Sequence, residues 1–174
     1  SYRVENLLFE SRPNHFVTAS LFLPSPERHR PPYPGVIVPC GHANHPRTAQ
    51  SNYVRACVMA AWNGIAALIY DPIDQGERLQ RLVEGERPEY GTAGHNRLGP
   101  LAILLGWNTA SFRIWDGVRA LDLLAARPEV DAARLGCMGN SGGGTMTSLL
   151  LAYDLRIRAA APSCYISTLP RVFE

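Results

Sequence analysis

Arg134-Leu-Gly-Cys-Met-Gly139-Asn140-Ser141-Gly142-Gly143-Gly144 is the segment around which the rest of the chain is organised. It joins a short apolar run to a G-x-S-x-G pattern and then to the opening of a helix. Leu135, Cys137 and Met138 precede the turn as a buried strand would, and Met146, Leu149, Leu150 and Tyr153 follow it at helical spacing. A serine on a sharp strand-to-helix turn needs small neighbours on both sides, and Gly139 and Gly143 supply them. Ser141 is therefore a candidate nucleophile on a nucleophile elbow. The helix N-terminus behind it leaves backbone N–H groups unpaired, so the Gly142 N–H is a candidate donor to an oxyanion. The plain alternative is a glycine-rich turn with an incidental serine, and the strand-turn-helix setting weighs against it.

Upstream, the chain alternates strands and helices. Tyr2 to Ser11 and His15 to Leu23 read as two antiparallel strands turned by Arg12-Pro13-Asn14, an edge hairpin. Pro24 to Pro34 is too rich in proline for helix or central strand and is a surface connection. Gly35-Val-Ile-Val-Pro39 is wholly apolar, as strands buried on both faces of a parallel sheet are. The loop Cys40-Gly41-His42-Ala43-Asn44-His45-Pro46 follows at its carboxyl end, where ligands bind in open α/β sheets. Thr48 to Asn63 predicts an amphipathic helix on Ala49, Tyr53, Ala56, Cys57 and Ala60, stopped by Gly64. Ile65 to Tyr70 is the next buried strand, which completes a right-handed βαβ unit. Asp74 to Gly106, polar and then apolar, reads as an inserted loop with a helical turn, either over the mouth of the sheet or as a solvated excursion. Asn108 or Ser111 caps a helix to about Ala126, with Ile114, Val118, Leu121 and Ala125 on one face. Glu129 to Ala133 reads as a loop. Arg158-Ala-Ala-Ala-Pro162, after the elbow helix Gly142 to Tyr153, is a last short strand. The expected fold is one α/β domain over residues 1–174, three layers around a mostly parallel sheet with an N-terminal antiparallel hairpin.

Composition narrows the function classes. The chain has 174 residues, 46% hydrophobic and 18% charged, enough for one well-filled core. A formal net charge of +2 with scattered arginines indicates neither nucleic acid nor a membrane surface as partner. No apolar run approaches the roughly 20 residues that span a bilayer. The first residues show no n-region followed by an apolar h-region, which is compatible with an exported protein whose leader has been removed and leaves the compartment open. Cys40, Cys57, Cys137 and Cys164 form no C-x-x-C pair and read as free, core-facing thiols.

With the Gly41-His42 loop, the Asp71-Pro-Ile-Asp-Gln-Gly76-Glu77-Arg78 turn and the Gly139-Asn-Ser-Gly-Gly143 elbow in this order, the chain resembles the α/β-hydrolase superfamily. Within it the likeness is to acetylxylan-esterase-like and cephalosporin-deacetylase-like carbohydrate esterases, and Arg127-Pro-Glu-Val-Asp131-Ala-Ala-Arg134-Leu-Gly is similar to their approach to the nucleophile strand. The elbow differs from the Gly-x-Ser-Gln-Gly form common in cephalosporin deacetylases. The resemblance implies hydrolysis of a carboxylic ester, with short acyl groups on a saccharide as substrate, through an acyl-enzyme and with neither metal nor organic cofactor. Ser141 would attack. Gly142 N–H would be one oxyanion donor, and a backbone N–H of His42 or Ala43 the second. His42 and His45 could instead be metal ligands, but they have no third ligand close in sequence. Asp71 and Asp74 read as shaping their turn. Two other readings stay open: a prolyl-oligopeptidase-like peptidase, and a non-catalytic hydrolase-like binding module.

In this superfamily the triad runs nucleophile, acid, histidine. After Ser141 the chain holds one aspartate, Asp154, and no histidine. Asp154 closes the elbow helix away from the serine, and of the upstream histidines only His95 lies in a segment free to reach the site. A sheet ending at Arg158 to Pro162 would also leave an apolar edge unpaired. The expectation is a further C-terminal segment or second chain that adds strands beside Ala159-Ala160-Ala161 and brings an acid and a histidine to Ser141.

Overall fold

The structure, a computed structural model, describes residues 1–48, 51–80 and 91–168. Its centre is a six-stranded sheet in the order β1-β2-β4-β3-β5-β6, formed by β1 (Tyr2–Arg12), β2 (His15–Pro24), β3 (Tyr33–Val38), β4 (Ala66–Tyr70), β5 (Val130–Asn140) and β6 (Ile157–Ser163). The hairpin β1-β2 is antiparallel and β2 joins β4 antiparallel, whereas β4, β3, β5 and β6 are parallel neighbours. The helices are α1 (Asn52–Trp62), α2 (Thr92–Leu104), α3 (Thr109–Ala125) and α4 (Gly142–Tyr153).

Side-chain alternation along the strands divides the core into two layers. In β4, Ala66, Leu68 and Tyr70 join Ile37, Leu135, Leu121, Leu124 and Leu150 on one face. Ala67 and Ile69 face the other way, with Val38, Cys40, Val54 and Cys57 under α1. All five β4 residues are buried, which accounts for the unbroken apolar run in the sequence. β6 is the last strand of the sheet, and Ala159 and Ala161 are exposed there, with no strand on its outer side among the described residues. Beside it, between α1 and β5-β6, lies a cleft of about 780 Å³ floored by Val38, Met138 and Ala161.

Several expectations need correction. The first helix begins at Asn52, capped by Ser51, whose Oγ accepts from the Tyr53 N–H; Ala49 lies outside the described residues. Its buried face is Val54, Cys57, Ala60 and Ala61, with Ala56 only partly buried. The segment read as a loop at Glu129 to Ala133 is strand from Val130 onward, because Val130 pairs with Tyr33. The insertion holds more than one helical turn: α2 runs 13 residues through Pro100. Residues 81–90 of the insertion lie outside the described residues. Asn108 is the cap of α3, its Oδ1 accepting from the Ser111 N–H. That helix buries Arg113, Asp116, Gly117, Ala120, Leu121 and Leu124, a face turned from the expected one because its two charged residues go inward. The four cysteines are free, but Cys164, just past β6, is exposed rather than core-facing.

Candidate active site

Three segments meet at the carboxyl end of the parallel strands: the loop after β3, the turn after β4 and the junction of β5 with α4. At that junction Ser141 has φ 55° and ψ −123°, a conformation that L-residues rarely adopt and that costs on the order of 1–3 kcal/mol. Its N–H donates to Ser163 O at 2.9 Å, its carbonyl accepts from Thr145 N–H at 3.0 Å, and its side chain makes no capping hydrogen bond. The hydroxyl is thus left at the surface, over a helix N-terminus. The turn is possible because backbones touch around it. A Cβ on Gly139 would lie 2.5 Å from Gly143 O, and one on Gly143 would lie 2.3 Å from Pro39 O.

The β3 loop is pressed against the start of α4: a Cβ on Gly142 would meet Gly41 Cα at 3.3 Å and the His42 ring at 3.7 Å. Gly41 N–H donates to Tyr53 Oη at 2.9 Å, and that hydroxyl in turn donates to Asn140 O at 3.3 Å, tying loop to strand end. Gln75, fully buried, donates from Nε2 to Gly41 O at 3.0 Å and accepts at Oε1 from Ala43 N–H at 2.9 Å. Ala43, named from sequence as a possible oxyanion donor, therefore has its N–H directed to Gln75. Among the described residues the His42 N–H has no such partner.

The Asp71 to Arg78 turn is held by its own side chains. Asp71 Oδ2 accepts from Thr18 Oγ1, Arg47 Nε and Glu77 N–H. Asp74 Oδ1 accepts from Gln80 N–H, and Gly76 N–H donates to Asn44 O across to the β3 loop. Arg78 donates to Asp71 O, Phe16 O and Asp116 Oδ2, and its Nη2 lies 2.7 Å from His15 Nε2. Burial would raise the Asp116 carboxyl, but bonds from His15, Arg78 and Ser11 hold it below its ordinary value.

α2 lies on these loops, with Gly94 against Asp74 and His95 beside His42; the two rings are 5.1 Å apart, Nε2 of His42 3.4 Å from Nδ1 of His95. The insertion therefore contacts the mouth of the sheet. Burial first, then Arg113 and His42, push the His95 pKa down to about 4, and burial with Arg113 lowers His42 as well. Arg113 itself donates to Cys40 O at 2.5 Å from beneath the loop. His95 is thus engaged with His42, not with Ser141. Asp154 caps the far end of α4 and pairs with Arg156 at 2.6 Å, remote from Ser141. Among the described residues no three His, Cys, Asp or Glu side chains gather as a metal ion would require.

Gln75, Tyr53 and Arg113 are not distinguished by the sequence pattern. Gln75 stands among the charged residues of its turn, Tyr53 has the spacing of an apolar helical face, and Arg113 is a charged residue on a face where periodicity predicts apolar ones.

No family model and no curated protein matches the chain. Solved structures do. A protein of Bacteroides fragilis NCTC 9343, described as a candidate acetyl xylan esterase, matches 91% of this chain and 44% of its own at TM-score 0.74 and 19% identity. Methylesterase BT1017 matches 92% of this chain and 32% of its own at TM-score 0.72 and 26% identity. An acetyl xylan esterase from Paenibacillus sp. R4 matches 93% of this chain and 53% of its own at TM-score 0.63 and 23% identity. This chain thus spans between 32% and 53% of the length of these three proteins. With Ser141 at the end of a parallel strand and six strands in this order, the chain has an α/β-hydrolase fold, shared with these solved structures.

Proposed function

We propose that this protein is a serine hydrolase that cleaves carboxylic esters, with Ser141 as nucleophile and short acyl groups, acetyl above all, on a saccharide as the substrate class. The observation that carries the reading is the backbone of Ser141: a positive φ is kept, against its cost, at the carboxyl end of a parallel strand and the start of a helix. The likeness to esterases of the same fold supports ester chemistry, and the saccharide preference is part of the proposal.

In the proposed reaction Ser141 Oγ attacks the acyl carbonyl carbon and its proton passes to a base. The negative oxygen of the tetrahedral intermediate takes hydrogen bonds from Gly142 N–H and His42 N–H, where losing one donor costs about 3–4 kcal/mol. The C–O bond to the sugar breaks, the alcohol leaves with the proton, and water then releases the acyl group. The base is the open part. His42 Nε2 and His95 Nδ1 face each other at 3.4 Å, neither ring is hydrogen-bonded to Ser141, and Asp154 pairs with Arg156. The proposal therefore includes an acid and a histidine brought by further chain, or by a second chain, that pairs with the outer side of β6 and covers the cleft beside it.

The test is hydrolysis of p-nitrophenyl acetate and of acetylated xylo-oligosaccharides by the full-length protein. Activity should be lost in Ser141→Ala with the fold intact, and full activity in that variant would overturn the reading. Cleavage of a prolyl peptide substrate in preference to every ester would favour a peptidase.

A further inference from the structure

The Asp71 to Arg78 turn holds a residue whose geometry has an outcome for the reaction. Gln75 grips the β3 loop on both sides of one residue: its Nε2 meets Gly41 O at 3.0 Å and its Oε1 meets Ala43 N–H at 2.9 Å. The orientation of the carboxamide is set by this chemistry, since a backbone N–H can only donate and a carbonyl can only accept. Gly41 C=O and His42 N–H belong to the same peptide plane. The only cis peptide among the described residues is Pro31-Pro32, so this plane is trans and its N–H points opposite to its C=O. Anchoring Gly41 O on Gln75 therefore turns the His42 N–H away from Gln75. The neighbouring groups are all occupied: Gly41 N–H by Tyr53 Oη, Gly41 O and Ala43 N–H by Gln75. Between the two amides held by Tyr53 and Gln75, the His42 N–H is left without a partner among the described residues, beside a Gly142 that packs on Gly41 Cα.

We propose that Gln75 is the positioning residue of the oxyanion hole, aiming the His42 N–H as the second donor beside Gly142 N–H. The inference rests on the serine-hydrolase reading. It also gives the turn after β4 a part in the chemistry. Gln75 is fully buried, and its backbone N–H donates to Pro72 O at 3.1 Å, so the carboxamide stands on a turn locked by Asp71, Asp74 and Arg78. A carboxamide of this length supplies both the donor and the acceptor whatever the pH. An ionised glutamate keeps the acceptor for Ala43 and opposes a carboxylate to Gly41 O, whereas a methionine keeps length and bulk with neither bond at any pH.

The experiment uses the full-length protein with Gln75→Met and Gln75→Glu, p-nitrophenyl acetate as substrate and an alkyl boronic acid, whose adduct on a serine places a charged oxygen in the hole. Both variants should lower kcat by about 10²-fold, the effect of losing one donor, with KM within about threefold of wild type. Boronate affinity should fall by the same factor as kcat/KM. A merely structural role would reduce the fraction of active enzyme and leave the boronate affinity of that fraction unchanged. A folded variant with wild-type kcat and boronate affinity would overturn the inference. A second arm needs no variant: in isotopically labelled wild-type protein, the boronate should shift the His42 amide proton downfield, and an unmoved His42 resonance would equally overturn it. Wild-type protein that hydrolyses no ester, or Ser141→Ala that still does, would instead refute the serine-hydrolase reading and the inference with it.

Discussion

Gly143→Ala separates the packing of the turn from the stability of the fold. A Cβ at this position would lie 2.3 Å from Pro39 O, 3.1 Å from Gly41 N and 3.2 Å from Cys40 C. Every one of these atoms is backbone, so no flexible side chain can give way. An ordinary contact begins near 3.4 Å, so the end of β3 and its loop must retreat from α4 by about 1 Å. Overpacking of this kind costs about 1–3 kcal/mol, while alanine for glycine inside a helix returns up to about 1 kcal/mol. The net loss of stability should be modest, about 0–2 kcal/mol. The site is less forgiving: displacing one oxyanion donor by about 1 Å costs on the order of 10²-fold in rate. Urea unfolding and p-nitrophenyl acetate hydrolysis, measured on the same full-length samples, should show a folded protein destabilised by no more than about 2 kcal/mol with kcat/KM down about 10²-fold. Gly99→Ala is the control, since its added carbon would meet only Thr109 Oγ1 at 3.7 Å; it should leave activity unchanged. Gly143→Ala with wild-type kcat/KM would refute the claim that the loop and the helix start share one site.

Further outcomes follow from the buried charges and thiols. Asp116→Ala leaves the Arg78 guanidinium buried without its carboxylate and should cost about 3–5 kcal/mol in urea unfolding; a loss under about 1 kcal/mol would show that Arg78 finds solvent or another partner. Acid should destabilise the fold in two stages. The folded state keeps His95 neutral down to about pH 4 while the unfolded chain takes up a proton from its ordinary value of 6.5, so stability falls as pH drops through that window. Asp116, held below its ordinary value, adds a further loss at lower pH as it becomes protonated. Urea midpoints at several pH values check both, and His95→Asn should reduce the loss in the upper window, to which His42 also contributes, and leave the lower one unchanged. Of this chain's cysteines, native labelling with a thiol reagent and peptide mapping should mark Cys164 only, since Cys40, Cys57 and Cys137 are buried and burial pushes Cys137 up to about 12.

The centre of the sheet was legible in the sequence because β3 and β4 are short, apolar and punctuated. Gly35 to Pro39 and Ile65 to Tyr70 could hardly be read otherwise, and Gly64 ends the intervening helix at φ +81°. The turn at Ser141 was legible too, since only glycine fits where Gly139 and Gly143 stand within contact of Pro39 O. What escaped was polar and internal. Arg113 and Asp116 lie on the buried face of α3, and a hydrophobic pattern assigns charges outward, so the face was expected one step around the helix. Tyr53 sits at a spacing that suits an apolar stripe, while its hydroxyl bridges Gly41 and Asn140. The choice between His42 and Ala43 could not be made from sequence, because it depends on which amide Gln75 occupies.

Labelling of the full-length protein with a fluorophosphonate, followed by peptide mapping, tests the central claim most directly, since only an activated serine reacts at a useful rate. A single adduct on Ser141 is expected, blocked by prior incubation with the boronate and absent in Ser141→Ala. No adduct on Ser141, under conditions that label a known serine hydrolase in the same tube, would contradict it.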